Sequence, residues 1–344
     1  MRATHRLPMG VAVLTALFLA VGAASARVTE SSPTSAVAET PFRVGFVTTL
    51  QGFRDNGVNQ AADRGVQRAI SELAVTGVVM STGATNEYVP GLTAFGREGY
   101  NLVIAPRMIG ELAQVVPQFS RVMYAGIDVP IDGFIEPPAN YIGVMFKSQE
   151  SGYLAGYLAG LVINRSKLKK HATAIGGVED DEEAQRYVAG FVAGVKRADR
   201  AIKVDVRWAD TVLARAVCTR IAREQLKRGT SVVFAVAGRC GDAALKIIPA
   251  KRAWGIGFDF DVSSLGPQIL TTAVKNVDTA VFLTIRNVQA GTLKGGADVR
   301  YGAAQGAVGL GKISPKVPKA LVKQVRALEA RIKAGKVKIP TAVK

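Results

Sequence analysis

Short apolar segments rich in β-branched residues alternate with amphipathic segments along most of this chain. FRVGFV, at residues 42–47, has the composition of a buried strand, and the apolar positions between Val58 and Leu73 recur at helical spacing. The alternation continues through GVVMST, LVIA, VMYAGI and YIGVMF. Strands that alternate with helices form a parallel sheet, because each helix returns the chain to the same edge. The pattern therefore predicts an α/β fold.

A second round of alternation begins after residue 146. Its candidate strands are TAIGG, KVDVRW, SVVFAVAG and WGIGF, and a helical pattern follows each of the first three. About 318 residues follow Ala26, which exceeds the size at which one hydrophobic core usually keeps growing. We therefore expect two lobes, each with its own sheet. In the helix SQESGYLAGYLAGLVI, the small residues between the large ones predict a close approach to a sheet.

The first 26 residues have the layout of a cleavable secretory signal. A basic start is followed by an apolar run from Met9 to Ala24 and a small-residue ending at Ala26. The alternative is a membrane anchor, but the run is shorter than the roughly 20 residues that cross a bilayer. We expect cleavage after Ala26, a flexible leader over 27–41, and a periplasmic or secreted protein.

The cysteine and histidine content limits the chemistry of the exported chain. Cys218 and Cys240 are the only cysteines, and an oxidising compartment makes a disulfide between them plausible, with two unlinked buried thiols as the alternative. His171 is the only histidine after the signal. No cluster with zinc-type spacing can be assembled from this set, so we predict no metal site and no cofactor.

The formal charge of +17 is unevenly distributed. From Lys312 onward, ten basic residues stand against Glu329 alone, so about half of the excess lies in this tail. Residues 320–335 carry apolar positions at helical spacing. We interpret 315–344 as a basic helix and tail that packs on one lobe with its charges in water. A membrane or nucleic-acid contact is the alternative.

Several segments form a recognisable pattern when taken in order: DNGVNQAADRGVQRA, FKSQESGYLAGYLAG, GGVEDDEEAQRYVAGFVAGVK, WGIGFDFD and ILTTAVKNVDTAVFLTI. The chain resembles the basic membrane protein family of bacterial substrate-binding proteins, which includes purine-nucleoside receptors of ABC transporters. The resemblance implies a type I periplasmic-binding architecture with two Rossmann-like lobes and ligand in the cleft between them. It places 42–146 and about 257–290 in lobe 1, and 147–256 and about 291–314 in lobe 2.

The resemblance also implies a function. It predicts a receptor of an ABC importer that closes around a small molecule, a nucleoside of purine type being favoured, and that meets permease subunits as a monomer. Many members carry a lipid-anchoring cysteine after the signal, and no cysteine stands there in this sequence. We therefore expect a freely soluble protein, with no nucleic-acid partner and no membrane insertion.

Candidate ligand residues follow from matching positions, and Asp259 and Asp128 also stand at the carboxyl ends of the predicted strands WGIGF and VMYAGI, where α/β folds bind ligands. Asp259 resembles the aspartate that bonds ribose, Lys275 the lysine that reaches the sugar, and Asp128 an aspartate near the base. Asp55 and Asn59 match the family's D-x-S-F-N motif as D-N-G-V-N. Each residue also has a purely structural alternative. Asp259 could cap a turn, and Lys275 could be an ordinary solvated lysine. Asp128 could be a loop carboxylate, and Asp55 could cap a helix.

Three departures alter the expected ligand contacts. Val58, Thr49 and Arg239 replace a phenylalanine, an aspartate and a glycine that are common in the family. Trp208 or Tyr187 is then the candidate for stacking on a base, although aromatic residues beside apolar segments are more often core. Riboflavin is an alternative ligand for the same receptor.

An enzyme of nucleoside metabolism is the rival from another class. Hydrolysis of a glycosidic bond needs paired carboxylates or a metal. The only tight candidate pair is Asp259 with Asp261. We therefore expect no enzymatic activity.

Overall fold

The computed structural model describes residues 41–344 except residues 51, 167, 250, 251 and 344. The predicted signal and most of the leader lie outside the described residues. In chain order the described strands are β1 Phe42–Val47, β2 Val75–Met80, β3 Leu102–Pro106, β4 Met123–Ile127, β5 Tyr141–Phe146, β6 His171–Gly176, β7 Lys203–Trp208, β8 Val232–Val236, β9 Trp254–Asp259, β10 Ile269–Lys275, β11 Ala297–Tyr301 and β12 Val308–Leu310. The described α-helices are α1 Val58–Glu72, α2 Tyr88–Arg97, α3 Ile109–Val115, α4 Ser148–Arg165, α5 Glu182–Ala198, α6 Arg215–Lys227, α7 Gly238–Lys246, α8 Val277–Gln289 and α9 Lys319–Lys333.

The strands form two six-stranded sheets. The first has the order β11-β5-β4-β3-β1-β2 and is parallel throughout, and the second has the order β12-β10-β9-β8-β6-β7. In the second sheet only the three-residue edge strand β12 runs antiparallel, to β10. Strands β3, β5, β8 and β10 are buried along their whole length, as is typical of strands covered by helices on both faces. The predicted α/β class with two mostly parallel sheets is confirmed.

The structure assigns residues 257–314 to the two sheets differently from the lobe boundaries expected from the sequence. Residues up to Lys275 stay in the second sheet, because β9 pairs with β8 and β10 pairs with β9. Helix α8 then packs against α1, and β11 adds to the first sheet beside β5. The assignment of 257–275 to the first lobe and of 297–301 to the second was therefore wrong. The alternation of strand and helix patterns predicts where strands lie in the sequence. It does not predict which strands pair, because pairing depends on buried faces from distant parts of the chain.

The chain passes between the two sheets three times, and the three passages are hydrogen-bonded to each other. They lie at Lys147, at Asn276, and between Tyr301 and Val308. The backbone N–H of Lys147 donates to Tyr301 over 2.9 Å, and that of Asn276 donates to Ala307 over 2.8 Å. Any change in the angle between the sheets must be absorbed at these short segments.

The glycines of α4 serve a helix contact. A Cβ added at Gly152 or Gly156 would overlap the backbone carbonyl of Tyr187 or Phe191 on α5. Helix α4 does pack against β10 and β12 of the second sheet, as predicted, but these two glycines lie against α5. Their periodicity marks a close-packed face but does not identify the partner.

The basic C-terminal segment forms α9, which packs on α4. Its apolar residues are buried, and its lysines and arginines are exposed. Among the described residues, no helix combines the length and the apolar character that crossing a bilayer requires.

Candidate ligand-binding site

A cavity of about 970 Å³ lies between the carboxyl ends of strands from both sheets. Thr49 and Asp128 line it from the ends of β1 and β4 in the first sheet, and Asp259 and Lys275 line it from the ends of β9 and β10 in the second. Ligands of parallel α/β sheets bind beyond these carboxyl ends, where loops replace the ladder and side chains converge. The cavity is therefore the candidate site.

Lys275 is the centre of a buried ionic cluster in this cavity. Its side chain is 2% exposed, and its Nζ lies 3.0 Å from both carboxylate oxygens of Asp128 and 3.4 Å from Oδ1 of Asp259. Oε1 of Glu183, near the start of α5, lies 3.0 Å from the same nitrogen. The ammonium thus joins carboxylates carried by both sheets.

Arg107 adds a second cation that bridges the sheets. It follows β3, and its Nη2 lies 3.3 Å from Oδ2 of Asp128 and 3.4 Å from Oδ2 of Asp259. Tyr187, on α5, donates its hydroxyl hydrogen to Oδ1 of Asp259 over 3.0 Å. The hydroxyl of Ser148 donates to Glu183. Every member of the cluster therefore has polar partners, as buried charges require.

The cluster sets the ionisation of its members. Burial disfavours the charged ammonium of Lys275, but the three carboxylates outweigh it and hold its pKa well above the usual value. Burial likewise works against ionised Asp128, yet Lys275 and Arg107 lower its pKa. Burial raises the pKa of Glu183 despite the attraction of Lys275.

The backbone around the cavity is held in an unusual conformation. Among the described residues, Asn56, Arg107, Asp128, Asp210 and Asp259 are the non-glycine residues with positive φ, and all except Asp210 line the cavity. Left-handed backbone costs residues with a Cβ free energy and is typically found at functional sites. Here it turns three charged side chains away from their strands and towards each other.

The rim of the cavity is apolar on both sides. Leu50 follows β1 of the first sheet and is 50% exposed, while Leu213, in the loop after β7 of the second sheet, is 66% exposed. Phe258 and Phe260 flank Asp259 in the wall. The site thus combines a charged floor with apolar surfaces that a flat, partly polar molecule can cover.

The comparisons with known proteins identify the family. The profile described as "ABC transporter substrate-binding protein PnrA-like" matches residues 42–342. The chain belongs to this family. The resemblance noted in the sequence is therefore confirmed, and the family is one of substrate-binding proteins.

Named relatives and a solved structure agree with this assignment. Basic membrane protein A of Borreliella afzelii is 29% identical over 299 residues, covering 84% of this chain and 88% of that protein. The ABC transporter nucleoside-binding protein BmpA of Lactococcus lactis subsp. cremoris is 27% identical over 311 residues, covering 84% and 86%. A crystal structure of ABC transporter system solute-binding proteins from Aeropyrum pernix K1 matches with a TM-score of 0.66 at 22% identity, covering 88% of this chain and 94% of that one. This last likeness shows the fold alone.

The structure brings together four of the predicted ligand residues, three of them matched to the family and Tyr187 named as a stacking candidate. Asp128, Asp259, Lys275 and Tyr187 all lie in the cluster. Tyr187 is fully buried, and its ring meets that of Phe258 edge to face, so it offers a hydroxyl rather than a stacking surface.

Asp55 lies at the cavity wall but has a capping role. Its two oxygens accept hydrogen bonds from the backbone N–H groups of Gly57, Asn59 and Gln60 at the start of α1. The helix-cap alternative therefore describes its observed contacts.

Two other predicted residues lie away from the cavity. Asn59 is 0% exposed, and its amide is bonded to the backbone and hydroxyl of Thr49 and to the carbonyl of Gly52. Trp208 packs over Gly176 on the neighbouring strand and is not among the lining residues. In this structure neither the amide of Asn59 nor the ring of Trp208 lines the cavity. Asn56 supplies an amide to the cavity lining, and Tyr88, Phe258 and Phe260 supply rings.

Arg107 and Glu183 were missed from the sequence. Arg107 directly follows the strand LVIAP, so the rule that selected Asp128 at a strand end would also have selected it. Glu183 stands in the segment GGVEDDEEAQRY, where several adjacent acidic residues give no sign of which one points inward.

A disulfide joins Cys218 on α6 to Cys240 on α7, with Cα atoms 5.3 Å apart. The backbone N–H of Cys240 also donates to the carbonyl of Val212, which lines the cavity. The disulfide therefore ties α7 to α6, and the hydrogen bond ties α7 to the segment around Val212, which forms the rim on the side of the second sheet.

Proposed function

We propose that this substrate-binding protein is an extracytoplasmic receptor of an ABC importer that binds a nucleoside, of purine type, in the cavity between the sheets. The observation that supports the proposal is the inter-sheet cluster of Asp128, Asp259, Glu183, Lys275 and Arg107 beside aromatic and apolar walls. The Lactococcus lactis relative named as nucleoside-binding supports it independently.

The cluster suits the sugar of a nucleoside. Ribose presents hydroxyl groups that donate hydrogen bonds, and Asp128 and Asp259 present carboxylate oxygens held in place by Lys275 and Arg107. Hydrogen bonds to ionised groups are among the stronger ones in proteins. The ammonium and guanidinium can donate in turn to the hydroxyl oxygens. The floor therefore binds the polar end of the ligand.

The apolar walls suit the base. Phe258 and Phe260 lie on either side of Asp259, and Leu50 and Leu213 face the cavity from opposite sheets. A bicyclic base covers more of this surface than a single ring, which favours a purine because apolar burial scales with area. Riboflavin, with its larger ring system and polyol chain, is the second candidate on the same grounds.

Binding is coupled to closure in this proposal. Leu50 and Leu213 are exposed on the two rims, and rotation at the three passages between the sheets would bring them onto the base. Burial of this surface would then favour the closed arrangement. The closed receptor would dock on permease subunits as a monomer, and the signal-like start supports an extracytoplasmic location.

The rival enzyme reading receives little support from the geometry. Asp261, the second member of the proposed carboxylate pair, accepts hydrogen bonds from the backbone and hydroxyl of Ser263 and from the hydroxyl of Thr272. It is thus held in a local turn. A receptor needs only the binding contacts that the cavity provides.

A titration with Asp259→Asn tests the proposal. The wild type should bind a purine nucleoside, and the variant should bind it about 10-fold to 150-fold more weakly, because a hydrogen bond to a charged group is worth about 1.5 to 3 kcal/mol. Asp63→Asn, on α1 outside the cavity, is the matched control and should bind normally. Calorimetry across inosine, adenosine, uridine and riboflavin would identify the ligand class. A wild type that binds none of the nucleosides contradicts the proposal.

A further inference from the structure

Arg239 differs from the other two cations that line the cavity. Arg107 and Lys275 are engaged by carboxylates of the floor. Within the described part of the chain, Arg239 has no carboxylate oxygen within the 4.0 Å of a salt bridge, and its side chain is exposed. Its guanidinium donors are therefore available to a molecule in the cavity.

The position of Arg239 is well fixed. It is the second residue of α7, after Gly238, whose φ of +51° suits a residue without a Cβ. The next residue, Cys240, carries the disulfide to α6 and donates its backbone N–H to Val212. Arg239 thus stands on the second-sheet rim beside the apolar Val212 and Leu213, where the base end of the ligand would lie.

The charged side chains around the cavity indicate different roles for its floor, which is rich in carboxylates, and for Arg239 on its rim. Acidic side chains outnumber basic ones by seven to three around the cavity, so a phosphate would meet a repulsive surface. Carboxylates accept hydrogen bonds and therefore select donors such as sugar hydroxyls. Arg239 only donates, and its planar fork matches two adjacent acceptors, as arginine matches the O6 and N7 atoms of guanine in nucleic acids.

We propose that Arg239 determines the base preference of the receptor by pairing with an edge that presents adjacent acceptors, as a 6-oxopurine does. The inference rests on the proposed nucleoside function. A 6-aminopurine carries an amino group, which is a donor, where the 6-oxopurine carries its oxo acceptor. One N–H of the Arg239 guanidinium would then point at the N–H of this amino group and could not form a hydrogen bond. The oxo base is selected by this difference.

Inosine and adenosine are the matched probes, because their bases differ at position 6. Wild type should bind inosine about 10-fold to 100-fold more tightly than adenosine, since a bidentate arginine pair gives about 1 to 3 kcal/mol of discrimination. Arg239→Met keeps an apolar stem and should remove most of this preference by weakening inosine alone. Arg239→Lys should recover only part of it. Arg223→Met, an exposed position on α6 outside the cavity, should behave as wild type.

Inosine 5′-monophosphate distinguishes base recognition from anion recognition. It should bind wild type more weakly than inosine does. Tighter binding that is lost in Arg239→Met would assign the residue to a phosphate and overturn the inference. Equal weakening of inosine and adenosine in Arg239→Met, or no change in either, would overturn it as well. A wild type that binds neither nucleoside would instead refute the proposed function, and the inference with it.

Discussion

Replacing Lys275 with methionine tests whether the ionic cluster stabilises the arrangement of the two sheets. The side chain is 2% exposed, and its Nζ lies 3.0 to 3.4 Å from carboxylates of Asp128, Glu183 and Asp259. Methionine preserves an unbranched apolar stem, so the loss is mainly electrostatic. Removing one partner of a buried ion pair costs about 3 to 5 kcal/mol, because the remaining charges lose their compensation. At about 2 to 4 °C per kcal/mol, the melting temperature should fall by roughly 10 °C.

The loss should depend on pH. Without the ammonium, Asp128 and Glu183 hold protons more tightly in the folded state, so their folded pKa values rise relative to the wild type. A raised folded pKa gives stability that is present below the unfolded pKa, about 4, and is lost as the pH rises through the folded pKa. The deficit of Lys275→Met should therefore be larger at about pH 8 than at about pH 5. The measurement is calorimetric unfolding at both pH values.

Two further variants serve as controls for the unfolding of Lys275→Met. Lys323→Met, at an exposed position of α9, should leave the melting temperature within about 2 °C of wild type, as surface substitutions usually do. Adding Glu183→Gln to Lys275→Met removes one of the uncompensated carboxylates and should restore part of the stability. If Lys275→Met unfolds like the Lys323 control, the cluster does not contribute in the way its geometry indicates, and the reasoning fails.

Asn59→Ala should destabilise the protein by about 1 to 3 kcal/mol in urea unfolding, because it leaves the half-buried backbone N–H and hydroxyl of Thr49 without this side-chain partner; an unchanged midpoint would show that these hydrogen bonds do not stabilise the fold. Cys218→Ser with Cys240→Ser should cost about 3 kcal/mol, as expected for a loop of this length, and reduced wild type should show the same loss. If the reduced protein is as stable as the oxidised one, the disulfide contributes nothing to the fold.

The fold was largely predictable because strand–helix alternation is a local property of the sequence. The same rule that places ligands at carboxyl strand ends found Asp128 and Asp259. It did not decide which sheet received β10 or β11, because strand pairing depends on distant segments that meet only when folded.

The errors at the start of α1 have a geometric origin. Motif matching placed Asn59 at the ligand, but α1 begins at Val58, and its first turn directs Asn59 into the loop below. Asn56, three residues earlier, lines the cavity from a left-handed backbone conformation. A sequence motif gives the spacing of its residues along the chain but not the direction in which each side chain points.

The left-handed residues around the cavity have a consequence for the evolution and engineering of this receptor. Arg107, Asp128 and Asp259 would each be relieved of backbone strain by glycine, yet each carries a charge of the cluster. Glycine would relieve the strain but would also remove a charge of the buried cluster, which costs more stability than the strain does. The strain and the binding contacts are therefore retained together. A search for thermostable variants should enrich changes elsewhere, for example on the exposed faces of α6 and α9, and should leave these three strand ends untouched whenever binding is also selected.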